Sequence, residues 1–199
     1  MVVNNAVRMA HQLIRSRLPA AHRVVDATAG NGNDTLFLAE NTPATAAVWA
    51  FDIQPQALAK TEELLARHQL AHKVRLVLDS HSRLSNYLQS PVDAVMFNLG
   101  YLPGSDHTLS TSPATTLQAV KQALALITDS GLMTIAAYPG YEQGRQECQA
   151  VQTYLSGLNQ KNYAVACWSM VNQKNNPPVL FIIEKIRSEQ LESVTSLKD

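Results

Sequence analysis

Apolar positions along the chain recur with two distinct periods. Val7, Ala10, Leu13, Ile14 and Leu18 fall three and four residues apart. This spacing predicts an amphipathic helix over residues 4–18, ended by Pro19. Shorter, continuous apolar runs predict buried strands at Arg23–Asp26, Ala47–Asp52, Val74–Asp79, Val92–Asn98 and Leu132–Ala137. Helical patterns lie between them: Asp34 to Glu40, Pro55 to His68, Pro113 to Thr128 and Glu142 to Leu158. Pro55 and Pro113 suit first helical turns, and Ser112 suits an N-cap. A loop rich in Gly, Ser, Thr and Pro covers Leu99 to Ser112. Two further strands, Tyr163–Val171 and Val179–Glu184, are joined by Gln173-Lys174-Asn175-Asn176-Pro177-Pro178.

Strands alternating with helices predict an α/β domain, its sheet mostly parallel and covered on both faces. The final pair has no helix between its strands and must be an antiparallel hairpin, which brings the sheet to seven strands. One domain is expected over residues 1–187, with an N-terminal helix within 1–20 and a polar tail at 188–199. No internal repeat or second domain is visible.

Composition narrows the class. Of 199 residues, 46% are hydrophobic and 16% charged, which fits a globular protein and excludes a disordered one. No apolar run reaches the roughly 18 residues of a membrane span. His11, Arg15 and Arg17 interrupt the N-terminal apolar run, unlike a signal peptide, so a cytoplasmic protein is expected. Cys148 and Cys167 read as buried free thiols. Trp49 and Trp168 read as core residues. His68 and His72 are four apart but lack a carboxylate partner, and no metal site is expected. Net charge is zero. A nucleic-acid partner would therefore need a local basic patch, for which Arg8, Arg15, Arg17 and Arg23 are candidates, although composition alone favours a solvated helix face.

Chemistry concentrates at strand ends, where open α/β sheets bind ligands. The first strand runs into Asp26-Ala27-Thr28-Ala29-Gly30-Asn31-Gly32-Asn33-Asp34. Gly30 and Gly32 permit a sharp turn and close backbone approach. The third glycine of the dinucleotide fingerprint is missing, and Asp34 near the helix start would repel a pyrophosphate. It suits instead the cationic methionine end of S-adenosylmethionine. Asp52, with Gln54 after it, stands where an acid accepts ribose hydroxyls, and Asp79-Ser80-His81 stands where a carboxylate accepts from an adenine amino group. Each acid alone is equally a turn or N-cap residue. Three of them at successive strand ends beside a glycine turn predict a nucleoside cofactor.

The fourth strand ends in Asn98-Leu99-Gly100-Tyr101-Leu102-Pro103-Gly104. An amine nucleophile must be neutral and oriented, and Asn98 Oδ1 can accept its N–H hydrogens without carrying charge. Tyr101 can stack on a base. Asp106 and His107 further along the loop are candidates for the amine's proton, with a plain polar loop as the competing reading.

These segments resemble the family long labelled rRNA methylases, which includes bacterial tRNA 5-aminomethyl-2-thiouridine methyltransferases. The matching stretches are Asp26–Ala39, Phe51-Asp52-Ile53-Gln54, Asp79-Ser80-His81, Phe97–Gly104, Tyr138-Pro139-Gly140 and Asn176-Pro177-Pro178. The element order is also that of class I methyltransferases. The resemblance implies a Rossmann-like fold, S-adenosylmethionine as methyl donor and an RNA substrate, the tRNA wobble uridine, whose 5-aminomethyl group becomes 5-methylaminomethyl. The run Tyr141-Glu142-Gln143-Gly144-Arg145 departs from the family pattern. An enzyme acting on rRNA or a small amine, a nicotinamide oxidoreductase, and a non-catalytic RNA-binding module remain competing readings. Oligomeric state is open, a homodimer included.

Overall fold

A computed structural model describes residues 5–100 and 111–186. The helices are α1 (Ala6–Ile14), α2 (Asn33–Asn41), α3 (Pro55–Arg67), α4 (Pro113–Leu126) and α5 (Glu142–Ser156). The strands are β1 (Arg23–Asp26), β2 (Ala47–Asp52), β3 (Val74–Leu78), β4 (Val92–Asn98), β5 (Ile127–Ala137), β6 (Tyr163–Ser169) and β7 (Val179–Lys185). They form one sheet in the order β3-β2-β1-β4-β5-β7-β6. All pairings from β3 through β5 are parallel, and β7 runs antiparallel to both β5 and β6.

The apolar strand runs divide between two cores because successive residues point to opposite faces. Val24, Val48, Ala94 and Met96 pack with Ala6, Ala10 and Ile14 of α1 and with Leu38 of α2. Their neighbours Val25, Phe51, Val95 and Phe97 pack with Ala119 and Val120 of α4 and with Val151 and Leu155 of α5. Helices thus cover both faces, as the alternation required.

Several boundaries depart from the sequence expectation. The first α-helix stops at Ile14 and tightens into a 3-10 helix through Ala20, so Pro19 lies inside the terminal turns. The expected helix to Thr128 ends at Leu126, because Ile127 is buried and pairs with Val92 at the start of β5. A register shift then separates that pair from Ala94↔Leu132. Within the extra loop Ser130 is left-handed (φ 60°). Gly131 permits this bulge, since a Cβ there would lie 2.6 Å from Ile127 Cγ1. Cys148 is buried, but Cys167 is exposed, because β6 is an outer strand. Trp49 and Trp168 are partly buried against the two cores. The polar tail at 188–199 lies outside the described residues. No described helix is long and apolar enough to cross a membrane.

Candidate active site

From β1 the chain winds outward to β2 and β3, and from β4 it winds the other way, so the order reverses between β1 and β4. Such a switch point opens a crevice at the carboxyl ends of the strands. A cavity of about 890 Å³ lies there. It is walled by the glycine turn, the ends of β2, β3 and β4, Thr111–Ser112, Tyr138–Tyr141 and the β6–β7 loop.

The glycine turn is built from below. Gly30 and Gly32 both adopt left-handed backbone, with φ of 53° and 82°. A Cβ on Gly32 would meet Thr61 Cα at 2.9 Å, so no side chain fits there. Asp26, expected in the lining, is instead fully buried beneath the turn. Its Oδ1 accepts from Thr28 N (3.0 Å) and its Oδ2 from Thr35 Oγ1 (2.6 Å). Burial, reinforced by the charge of Asp34, pushes the Asp26 pKa up to about 7. Gly32 is likewise absent from the lining and contributes the turn alone.

The other expected cofactor residues, Thr28, Gly30, Asn31, Asn33, Asp34, Asp52, Gln54, Asp79, Ser80, His81 and Asn98, all line the cavity. Asp52 Oδ2 accepts from Gly30 N and Oδ1 from Gln54 N, each at 2.9 Å. A carboxylate offers about four acceptor positions, so about two remain for a ligand. Asp79 accepts from Ser80 N (2.7 Å), Tyr87 Oη (2.8 Å) and Arg83 (2.6 Å). Although burial pulls the other way, these donors hold its carboxyl below the usual range. Burial depresses the His81 pKa to about 4, so its ring is neutral. Its buried Nε2 has no hydrogen-bond partner among the described residues.

At the far end Asn98 joins four elements. Its backbone N–H donates to Thr28 Oγ1 (2.7 Å), tying β4 to the β1 turn. Its Nδ2 donates to Asp34 Oδ2 (3.4 Å) and its Oδ1 accepts from Tyr138 Oη (2.8 Å). Burial, with the Asp34 charge, raises the Tyr138 pKa to about 12, so the phenol keeps its proton and stays a donor. Asp34 is 6% exposed and also binds His11 Nε2 at 2.6 Å. The His11 ring stacks on Phe37 with centroids 3.8 Å apart.

The residues flanking 101–110 are clasped together. Gly100 N donates to Thr111 Oγ1 (2.8 Å), and Thr111 N donates to Gly100 O (2.9 Å). Thr111 and Thr116 both donate to the buried carboxylate of Glu147, whose pKa burial raises against these donors. Tyr101, Asp106 and His107, expected to act in catalysis, lie outside the described residues.

His11, Tyr138 and Glu147 had no assigned role in the sequence reading. For His11 the signal was present: it sits four residues after Val7 and three before Ile14, on the apolar stripe of its helix. The expected N-terminal basic patch is largely engaged within the molecule. Arg15 donates to Asn41 (2.8 Å) and lies over Phe37, Arg17 pairs with Glu184, and Arg23 donates to Pro91 O. His68 contacts Glu40 at 3.2 Å.

The lining contains three aspartates and no Lys or Arg among the described residues. This donor set fits a nucleoside carrying positive charge and disfavours a pyrophosphate. The unpartnered His81 Nε2 suits an occupant that brings polar groups.

Comparison with known proteins agrees. The sequence profile of the family described as "Putative rRNA methylase" matches residues 48–184. A chloroplastic tRNA (mnm(5)s(2)U34)-methyltransferase of Arabidopsis thaliana is 31% identical over 190 residues, covering 90% of this chain and 69% of that protein. A crystal structure described as a putative rRNA-methylase from Clostridium thermocellum is 41% identical with a TM-score of 0.90, covering 94% of this chain and 100% of the other. A crystal structure described as a putative methyltransferase from Streptococcus mutans in complex with SAH is 37% identical with a TM-score of 0.84, covering 92% of this chain and 98% of the other.

Proposed function

This chain belongs to the rRNA methylase family, and on that premise we propose that it N-methylates a primary amine carried by RNA, the 5-aminomethyl group of a tRNA wobble (2-thio)uridine. It is an S-adenosylmethionine-dependent methyltransferase. When bound, the cofactor supplies an electrophilic methyl group. Asp52 would hold its ribose, and Asp79 with the Ser80 backbone its adenine. His81 Nε2 would meet one of its polar groups, and Gly30, Asn31 and Asn33 would seat its amino-acid end.

The observation that carries the substrate reading is the cluster of Asn98, Asp34 and Tyr138 at the far end of the cavity. A carboxylate only accepts, so it fixes the Asn98 amide with Nδ2 toward Asp34 and Oδ1 toward Tyr138. The second lone pair of Oδ1 and the remaining acceptor positions of Asp34 can then take two N–H hydrogens of an amine and aim its lone pair. A hydroxyl substrate would use one of these acceptors. The curated relative's name specifies the same class of target. We place the reaction in the cytoplasm, in keeping with two free thiols.

The test is incubation with S-adenosylmethionine and tRNA bearing 5-aminomethyl-2-thiouridine, followed by mass spectrometry of the nucleosides. A gain of one methyl on that nucleoside is expected. Binding of S-adenosylhomocysteine without methylation of that nucleoside would refute the substrate. The zero net charge and the engaged arginines favour one second reading, a small free amine. Binding of tRNA should weaken steeply with salt through counterion release, with exposed Lys161 and Lys174 among the candidate phosphate contacts. A flat salt response supports the small amine.

A further inference from the structure

We infer that Asp34 accepts the proton of the substrate ammonium and that His11, reaching in from the N-terminal helix, is the positioning residue that sets its orientation and charge. This rests on the amine reading above. Asp34 carries one oxygen toward His11 and the other toward Asn98, and it lines the cavity beside the Asn98 acceptor. Its place in the fold is therefore that of a base at the nucleophile.

An alkyl ammonium has no lone pair to donate. In the step assigned here one N–H bond breaks, its electron pair stays on nitrogen, and an O–H bond forms on Asp34. The proton passes to water when the product leaves. A neutral His11 donating from Nε2 keeps the carboxylate anionic and turned toward Asn98. A protonated His11 pairs with that charge and weakens the base. Stacking on Phe37 locks the ring plane, and the side chain is 22% exposed.

The surrounding charged and titratable groups are few. From α1 comes Arg8, and from the 3-10 helix that follows it comes Arg15, which lies over the Phe37 ring. From α2 comes Asp34 itself. Asp26 at the end of β1 and Tyr138 after β5 both feel the Asp34 charge. The nearby Glu184 of β7 is bonded to Arg17.

The experiment compares His11→Ala and His11→Gln with the wild type in single-turnover methylation of 5-aminomethyl tRNA across pH, with S-adenosylhomocysteine affinity and thermal unfolding measured alongside. At neutral pH His11→Ala should be slower by about 10-fold or more, with cofactor affinity within about 2-fold. Alkaline pH should recover much of that loss, because the substrate then arrives neutral. His11→Gln keeps a donor without a titrating charge. It should recover to within about 3-fold of wild type at neutral pH, and the acid limb of its profile should flatten. Equal rate loss at every pH, or wild-type profiles in both variants, overturns the role. A wild-type protein that binds S-adenosylhomocysteine but leaves the amine unmethylated overturns the substrate reading, and this role with it. If His11→Ala unfolds, the acid limb of His11→Gln alone decides.

Discussion

The two ends of the cavity are built by different rules. At the β1–β2–β3 end the polar contacts are short-range or backbone-mediated. Asp52 accepts from Gly30 and Gln54 amides, and Asp79 from its own neighbour Ser80 and from residues four and eight further on. At the β4–β5 end side chain meets side chain across long separations: Asn98 with Tyr138, Asn98 with Asp34, and Asp34 with His11. A backbone-anchored wall presents fixed acceptors whatever the substrate. A wall made of long-range side-chain contacts can change chemistry through single substitutions.

That contrast breaks if both ends respond alike to mutation. The largest effect is expected from Asn98→Ala, which should slow single-turnover methyl transfer on the order of 100-fold while leaving S-adenosylhomocysteine affinity nearly intact. Matching losses in both measurements would mean the two ends act as one unit. Asp52→Ala should do the reverse. Calorimetry should show cofactor binding weakened by about 1–3 kcal/mol, with the rate at saturating cofactor close to wild type.

Asp26 sits beneath the seam and sharpens the comparison through stability. Its folded pKa, about 7, lies above the unfolded value of 3.8, so ionisation opposes folding. That penalty is absent below about pH 4, grows up to about pH 7 and is constant above. Asp26→Asn does not ionise, and its amide can still accept from Thr28 N and meet Thr35. Chemical denaturation should show its stability relative to wild type improving across that window, by about 4 kcal/mol, and level beyond it. A constant difference across pH would show that Asp26 ionises freely. The smallest effect is expected for Tyr138→Phe. It removes one donor to Asn98, and the rate should fall about 3- to 10-fold with no change in cofactor affinity.

The same contrast explains what was legible in the sequence. Asp52, Asp79 and the Gly30–Gly32 turn were readable because their partners lie nearby in the chain or on the backbone. The alternation of elements gave the sheet and both cores for the same reason. Asp26 reads like the other two strand-end acids, yet it is fully buried in an interior strand, and no local pattern marks that depth. The contacts of Tyr138 and His11 span 40 and 23 residues. Local periodicity carries no information about such pairs, nor about the Arg17–Glu184 bridge across 167 residues that occupies part of the expected basic patch. The missed start of β5 has a similar origin, since only pairing with Val92 identifies Ile127 as a strand residue.

The position of β7 has a consequence for biosynthesis. It fills the slot between β5 and β6, with Leu180 and Phe181 feeding the two cores on either face. Among the described strands it is nevertheless the last to leave the ribosome. Until it emerges, β6 has no neighbour and β5 offers an open edge, a template for unwanted pairing. The β1–β4 half can form during translation, whereas the antiparallel half must wait. The β4–β5 end of the cavity, next to that late half, would be the last part of the nascent enzyme to mature, and ribosome-bound chains lacking β7 would present an aggregation-prone edge to chaperones.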